Sequence, residues 1–138
     1  QASHDHRGTQ DSPGRVVTLA SDPDSRCEGM AYRVEGSVED VLKLLDIREQ
    51  DGYKRQSLQL MFKDGFIAEG VTWIAASDNP SWRGGESITE VAQLIAHREG
   101  PSGSNRDYLF ELQRALASMN IDDNYIDELC RQVRALVT

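Results

Sequence analysis

Leu45-Asp46-Ile47-Arg48-Glu49-Gln50-Asp51-Gly52-Tyr53 is the stretch in which the chain changes its period. Ahead of it, Val38, Val41, Leu42 and Leu45 recur at i, i+3, i+4 and i+7, which lines one face of a helix. Ser37 offers an N-cap for that helix, with Asp40 three residues on in a variant capping box. Beyond it, Leu58, Leu60 and Phe62 alternate, the two-residue period of a strand. The helix therefore ends in a charged turn that carries Glu49 towards Tyr53, and the chain leaves the turn as a strand.

Working outward, Lys63-Asp64-Gly65 reads as a three-residue hairpin loop, with Ile67, Val71, Trp73 and Ala75 lining the return strand. Asp78 to Gly85 reads as a loop punctuated by Asn79-Pro80 and Gly84-Gly85. The remainder of the chain is helical. Ser87 with Glu90 forms a capping box for a helix through His97, and Leu109, Leu112, Leu116 and Met119 stripe a second helix. Ile126, Leu129, Val133 and Leu136 stripe a third, capped by Asp122 or Asp123. Upstream, the first dozen residues read as a polar lead-in and Arg15 to Leu19 as a short strand. Ser21 to Ser25 reads as a turn, and Cys27 to Val34 as extended chain with Met30, Tyr32 and Val34 on one face. Strands in the first half and helices in the second give an α+β class. The few antiparallel strands are expected to curl into a small β-barrel flanked by α-helices.

A chain of 138 residues is expected to form one domain, 1–138, with a core that needs neither disulfide nor metal. Its formal charge of −8 argues against a nucleic-acid partner, which calls for a basic stripe, and against an anionic membrane surface. No apolar run approaches the roughly 18 residues needed to span a bilayer. Cys27 and Cys130 lie far apart with no C-x-x-C spacing, so both are expected to be buried reduced thiols, in keeping with the cytoplasm.

Taken singly, the chemistry-bearing residues are ordinary. Glu49 alone reads as a solvated charge after a helix and Tyr53 as a packed aromatic at a strand start. His4-Asp5-His6 puts two imidazoles on one side of an extended segment, but no third and fourth ligand is evident and no metal site is predicted. Gly100-Pro101-Ser102-Gly103-Ser104 falls short of a nucleophile elbow, because Ser104 stands where the second glycine belongs. Ser102, Ser104 and Asn105 instead open a helix, either as a plain N-cap or as an anion contact. Trp73 is expected in the core; Trp82, without periodic partners, is expected at a pocket rim or the core edge.

Four blocks taken together are more specific: Arg15 to Leu19, Asp46 to Tyr53, Asp78-Asn79-Pro80, and Pro101 to Leu109. In this order they resemble the ChaC family, the glutathione-specific γ-glutamylcyclotransferases, and the similarity runs from Asp5-His6-Arg7-Gly8 to the last helix. The resemblance implies the γ-glutamylcyclotransferase-like fold, and conversion of glutathione to 5-oxoproline and cysteinylglycine without a cofactor. It makes Glu49 the general acid/base, Tyr53 and Tyr108 pocket residues, and Arg15 or Asn105 a partner for substrate carboxylates. It implies a small-molecule substrate and a cytoplasmic location. One departure stands out: the family's Tyr-Gly-Ser-Leu loop, which cradles the γ-glutamyl group, is not found in these residues. The expectation is that the 138 residues alone lack a complete site, and that an N-terminal segment supplies the loop in cis or from another chain. The rival expectations are a non-catalytic binding or regulatory module of the same fold, and a cyclotransferase acting on other γ-glutamyl amides.

Overall fold

The computed structural model describes residues 1–49 and 52–138. Gln50 and Asp51, in the middle of the charged turn, lie outside the described residues. In chain order the elements are β1 (Ala2–Ser3), β2 (Gly14–Arg15), α1 (Val38–Arg48), β3 (Tyr53–Met61), β4 (Ile67–Ala75), α2 (Ile88–His97), β5 (Glu99–Gly100), β6 (Gly103–Ser104), α3 (Asn105–Ser118) and α4 (Asn124–Val137). The strands form three antiparallel pairs, β1–β2, β3–β4 and β5–β6. Helices and strands are thus mixed as expected, but the described residues form no closed barrel. They fall into two compact units.

The first unit comprises Gln1–Val17, Cys27–Gly29 and Arg83–Thr138. Its core is helical: Ala92, Ile95 and Ala96 of α2, Leu109 of α3, and Ile126, Leu129, Cys130 and Val133 of α4. Burying each large aliphatic side chain here contributes about 1.5–3 kcal/mol. The caps are those the spacing predicts. Ser87 and Glu90 satisfy each other's backbone N–H groups at the start of α2. Ser104 Oγ accepts from Asp107 N, and Asp123 Oδ1 accepts from Tyr125 N and Ile126 N. After α3, Asn120 takes the left-handed conformation (φ 56°) that commonly ends a helix.

The polar lead-in is not peripheral. Ala2, Ser3 and Gly8 are buried, and β1 pairs with β2 through Ala2↔Arg15 and Ser3↔Gly14. Gly14 is pressed so closely on the Arg7 carbonyl and on Asn105 that a Cβ there would overlap both. Glycines, not apolar side chains, let this segment pack, which is why its composition reads as solvent-facing.

The second unit comprises Thr18–Arg26 and Met30–Trp82. Its centre is the β3–β4 hairpin, in register from Tyr53↔Ala75 to Met61↔Ile67. The loop is the expected one, closed by Phe62 N–H donating to the Phe66 carbonyl at 2.9 Å. Ile67, Val71, Trp73 and Ala75 share one face of β4, as expected. Leu58 and Leu60 sit opposite Gly70 and Ala68, so they share a face with these residues, and Ile67 and Val71 fall on the other face, where both are exposed. The Phe62–Phe66 closure fixes this register, and reading each strand's alternation separately cannot.

Three further expectations are corrected. The strand expected from Arg15 to Leu19 ends at Arg15. Residues 27–34 form no strand, with Tyr32 86% and Met30 64% exposed. Alternation alone does not supply a partner strand to pair with. Cys130 is buried and free as expected, but Cys27 is exposed.

Candidate active site

Glu49 is the C-cap of α1. Its backbone N–H donates to the Leu45 carbonyl at 2.8 Å, and the residue is half-buried. The helix that carries it begins at Ser37, whose hydroxyl accepts from Asp40 N. No residue of α1 is buried, so its half-covered stripe of Val41, Leu42 and Leu45 holds it only weakly. A polar clip adds direction. Asp46 accepts from Trp73 Nε1 at 2.9 Å through Oδ1 and pairs with Arg55 Nη1 at 3.0 Å through Oδ2. Trp73 and Arg55 face each other across the ladder, so one rung of the hairpin supplies both donors.

Beyond Gln50 and Asp51, Gly52 (φ 81°) lies beneath the Asn79 side chain, and Tyr53 begins β3 half-buried. Asn79 is itself buried. Its Oδ1 accepts from Ser81 N, and its backbone closes turns with Ala76 and Trp82. The Asp46 to Tyr53 and Asp78-Asn79-Pro80 blocks, separate in sequence, therefore meet at Gly52.

Arg15, Asn105 and Tyr108 belong to the first unit. Asn105 is fully buried, and its amide clips the Arg15 backbone: Oδ1 accepts from Arg15 N at 2.6 Å and Nδ2 donates to Arg15 O at 2.7 Å. The Arg15 guanidinium grips Glu86 in a two-pronged pair, Nε to Oε2 at 2.7 Å and Nη2 to Oε1 at 2.5 Å. The Tyr108 hydroxyl accepts from Val17 N at 3.2 Å, and the Arg7 guanidinium lies 5.6 Å from its ring centroid. His6 Nδ1 meets Ser102 Oγ at 3.1 Å, so this histidine ties the lead-in to the 102 turn. Among the described residues, no three His, Cys, Asp or Glu side chains group as metal ligands.

Glu86 escapes a reading of the sequence, since nothing local joins it to a residue 71 positions away. The Trp73 bond has a signal: a partly buried indole N–H needs an acceptor. Hydrogen bonds from Arg15 hold the Glu86 carboxyl below its ordinary value, against an opposing effect of burial. A carboxylate depressed in the folded state contributes stability above its unfolded pKa and loses it as pH falls through the folded one. Arg15 is 11% exposed, so removing its partner strands a nearly buried cation. Glu86→Gln is therefore expected to cost about 1–3 kcal/mol at pH 7. Urea midpoints of the variant and wild type should converge as pH falls below about 4.5. A pH-independent gap would mean that shape, and not charge, holds this corner.

A family model for ChaC-like proteins matches residues 1–136. γ-Glutamylcyclotransferase 2-3 of Arabidopsis thaliana is 38% identical over all of this chain and 74% of its own length. The glutathione-specific γ-glutamylcyclotransferase of Schizosaccharomyces pombe is 32% identical over 96% of this chain and 75% of its own. The crystal structure of the yeast γ-glutamylcyclotransferase specific to glutathione superimposes with a TM-score of 0.80 at 27% identity, covering 98% of this chain and 81% of that one. With sequence and fold alike matched over nearly its whole length, the chain belongs to the ChaC-like family.

Proposed function

We propose that this chain is a glutathione-specific γ-glutamylcyclotransferase, releasing 5-oxoproline and cysteinylglycine. The observation that carries this reading is the family match along residues 1–136, with relatives named for that activity. The γ-glutamyl α-amine attacks its own side-chain carbonyl. Starting from the neutral amine, a bond forms from its nitrogen to the side-chain carbonyl carbon (Cδ), the bond from that carbon to the cysteine nitrogen breaks, and one proton moves from the attacking nitrogen to the departing one. No water is consumed and no electrons change hands, so the chemistry asks only for a proton carrier and a bent substrate.

Glu49 is the proposed carrier. The amine attacks in its unprotonated form, since an ammonium has no lone pair. Glu49 takes a proton from the attacking nitrogen as the ring closes and passes it to the leaving nitrogen, since an amide anion leaves poorly. Such acid–base assistance contributes about 10²–10⁴-fold. Holding the chain in an attacking shape adds more, because intramolecular reactions reach effective molarities of about 10⁵ M or above. Tyr53, Tyr108, Arg15 and Asn105 are proposed as substrate-binding residues. The Arg15 guanidinium is paired with Glu86 and the Asn105 amide with the Arg15 backbone. What these two offer is a firmly held segment running to Val17, whose N–H meets the Tyr108 hydroxyl. Residues 1–138 are read as one γ-glutamylcyclotransferase domain built around a small barrel. That reading draws on the likeness to the yeast enzyme.

The test follows 5-oxoproline from glutathione and, separately, from γ-glutamyl dipeptides lacking the glycine. Release from glutathione at least about tenfold faster (kcat/KM) supports the assignment. Release from neither, by folded full-length polypeptide, overturns it.

A further inference from the structure

We infer that Asp46 is a positioning residue for Glu49, acting through the last turn of α1. This inference rests on the proposed role of Glu49. Asp46 and Glu49 stand three residues apart, so they lie on one side of the helix end. The N–H of Glu49 is itself hydrogen-bonded to Leu45, which makes residues 45–49 a single turn. A helix with no buried residue has no jigsaw fit to fix its rotation or its slide along the sheet. The Asp46 carboxylate provides that fix. Each of its oxygens takes one donor, and both donors leave one rung of the hairpin. The two contacts are unequal. The Arg55 pair is about 40% exposed on both sides and is weakened by water and salt. The half-buried Trp73 indole has a fixed direction, so its hydrogen bond to a charged oxygen sets the angle.

The experiment measures kcat and KM for glutathione by 5-oxoproline release from full-length Asp46→Ala, Asp46→Asn, Trp73→Phe and Glu49→Gln, each checked for folding by circular dichroism. Asp46→Ala should lower kcat about tenfold with KM within about twofold, since a displaced catalytic group spoils the chemical step more than binding. Asp46→Asn keeps an oxygen for the indole and should recover most of the loss. Trp73→Phe removes only the donor and should resemble Asp46→Ala, and the double variant should be no worse than either single one. If Asp46→Ala does not fold, Trp73→Phe against wild type decides in its place. Wild-type kcat in folded Asp46→Ala or Trp73→Phe overturns the inference, as does an Asn variant no better than Ala. Full turnover by Glu49→Gln overturns both the catalytic assignment and this inference. A collapse in Glu49→Gln beside unaffected Asp46 variants removes the positioning role alone.

Discussion

Glu49→Gln is expected to cut 5-oxoproline release by at least about a hundredfold while leaving the KM for glutathione nearly unchanged. Glutamine keeps the size of the side chain and an oxygen that accepts hydrogen bonds, so contacts to bound substrate survive. What it lacks is a site that gains a proton and gives it back, and the cyclisation needs both events. The position suits proton transfer, at the end of a helix, half-buried, with the backbone N–H already committed to Leu45. A fixed backbone holds the carboxylate's root still, so only the side chain's own torsions remain to be ordered by substrate. Glutathione turnover with single-turnover chemistry and equilibrium binding measured in parallel separates the outcomes. Loss of chemistry with binding intact supports the acid/base role. Equal turnover keeps the cyclotransferase but takes Glu49 out of its mechanism. Loss of binding to the same degree would recast Glu49 as a substrate contact.

Local chemistry is the part of this fold that is legible in the sequence. The Ser87–Glu90 capping box, the Asp123 cap and the apolar stripes of α3 and α4 depend on residues within one or two turns. The caps stand where the spacing predicts, and Leu109, Ile126, Leu129 and Val133 are buried, while Leu136 at the end of its stripe is exposed. The helix ending at Glu49 is legible for the same reason. Pairings over long separations are not. Residues 27–34 alternate as a strand would, yet alternation defines faces and does not name a partner. The hairpin's loop can be read from its residues but the face shared across it cannot, since the inner residues of β4 are Ala68 and Gly70, too small to announce themselves. Asn105 shows the limit most clearly. A polar residue opening a helix reads as a cap or an anion contact, and nothing local foretells that its fully buried amide binds the Arg15 backbone, ninety residues earlier. The family resemblance supplies Glu49 as a chemical group; the fold shows what holds it.

Gly52→Ala is expected to destabilise the protein by about 3 kcal/mol and to lower turnover about a hundredfold, although the added group is one methyl. Two costs combine. At φ 81° an L-residue meets its own carbonyl, a penalty of about 1–2 kcal/mol. The new Cβ would also lie 2.5–2.7 Å from Cγ, Nδ2 and Oδ1 of Asn79. Asn79 has little room to yield, because it is 7% exposed and its Oδ1 and backbone are committed to Ser81, Ala76 and Trp82. The chain on the Gly52 side must move instead, and Glu49 lies only three residues away. The double variant Gly52→Ala/Asn79→Ala separates the two costs. Removing the obstructing amide should restore part of the stability lost by Gly52→Ala, so the two substitutions together cost less than the sum of their separate effects. Urea midpoints read the coupling, and 5-oxoproline release reads whether the Glu49 turn returns to its place. Strict additivity would mean that the backbone conformation alone demands glycine, with Asn79 a bystander. Recovered stability without recovered turnover would show that Asn79 holds Gly52 in its working position, beyond merely filling the space above a glycine.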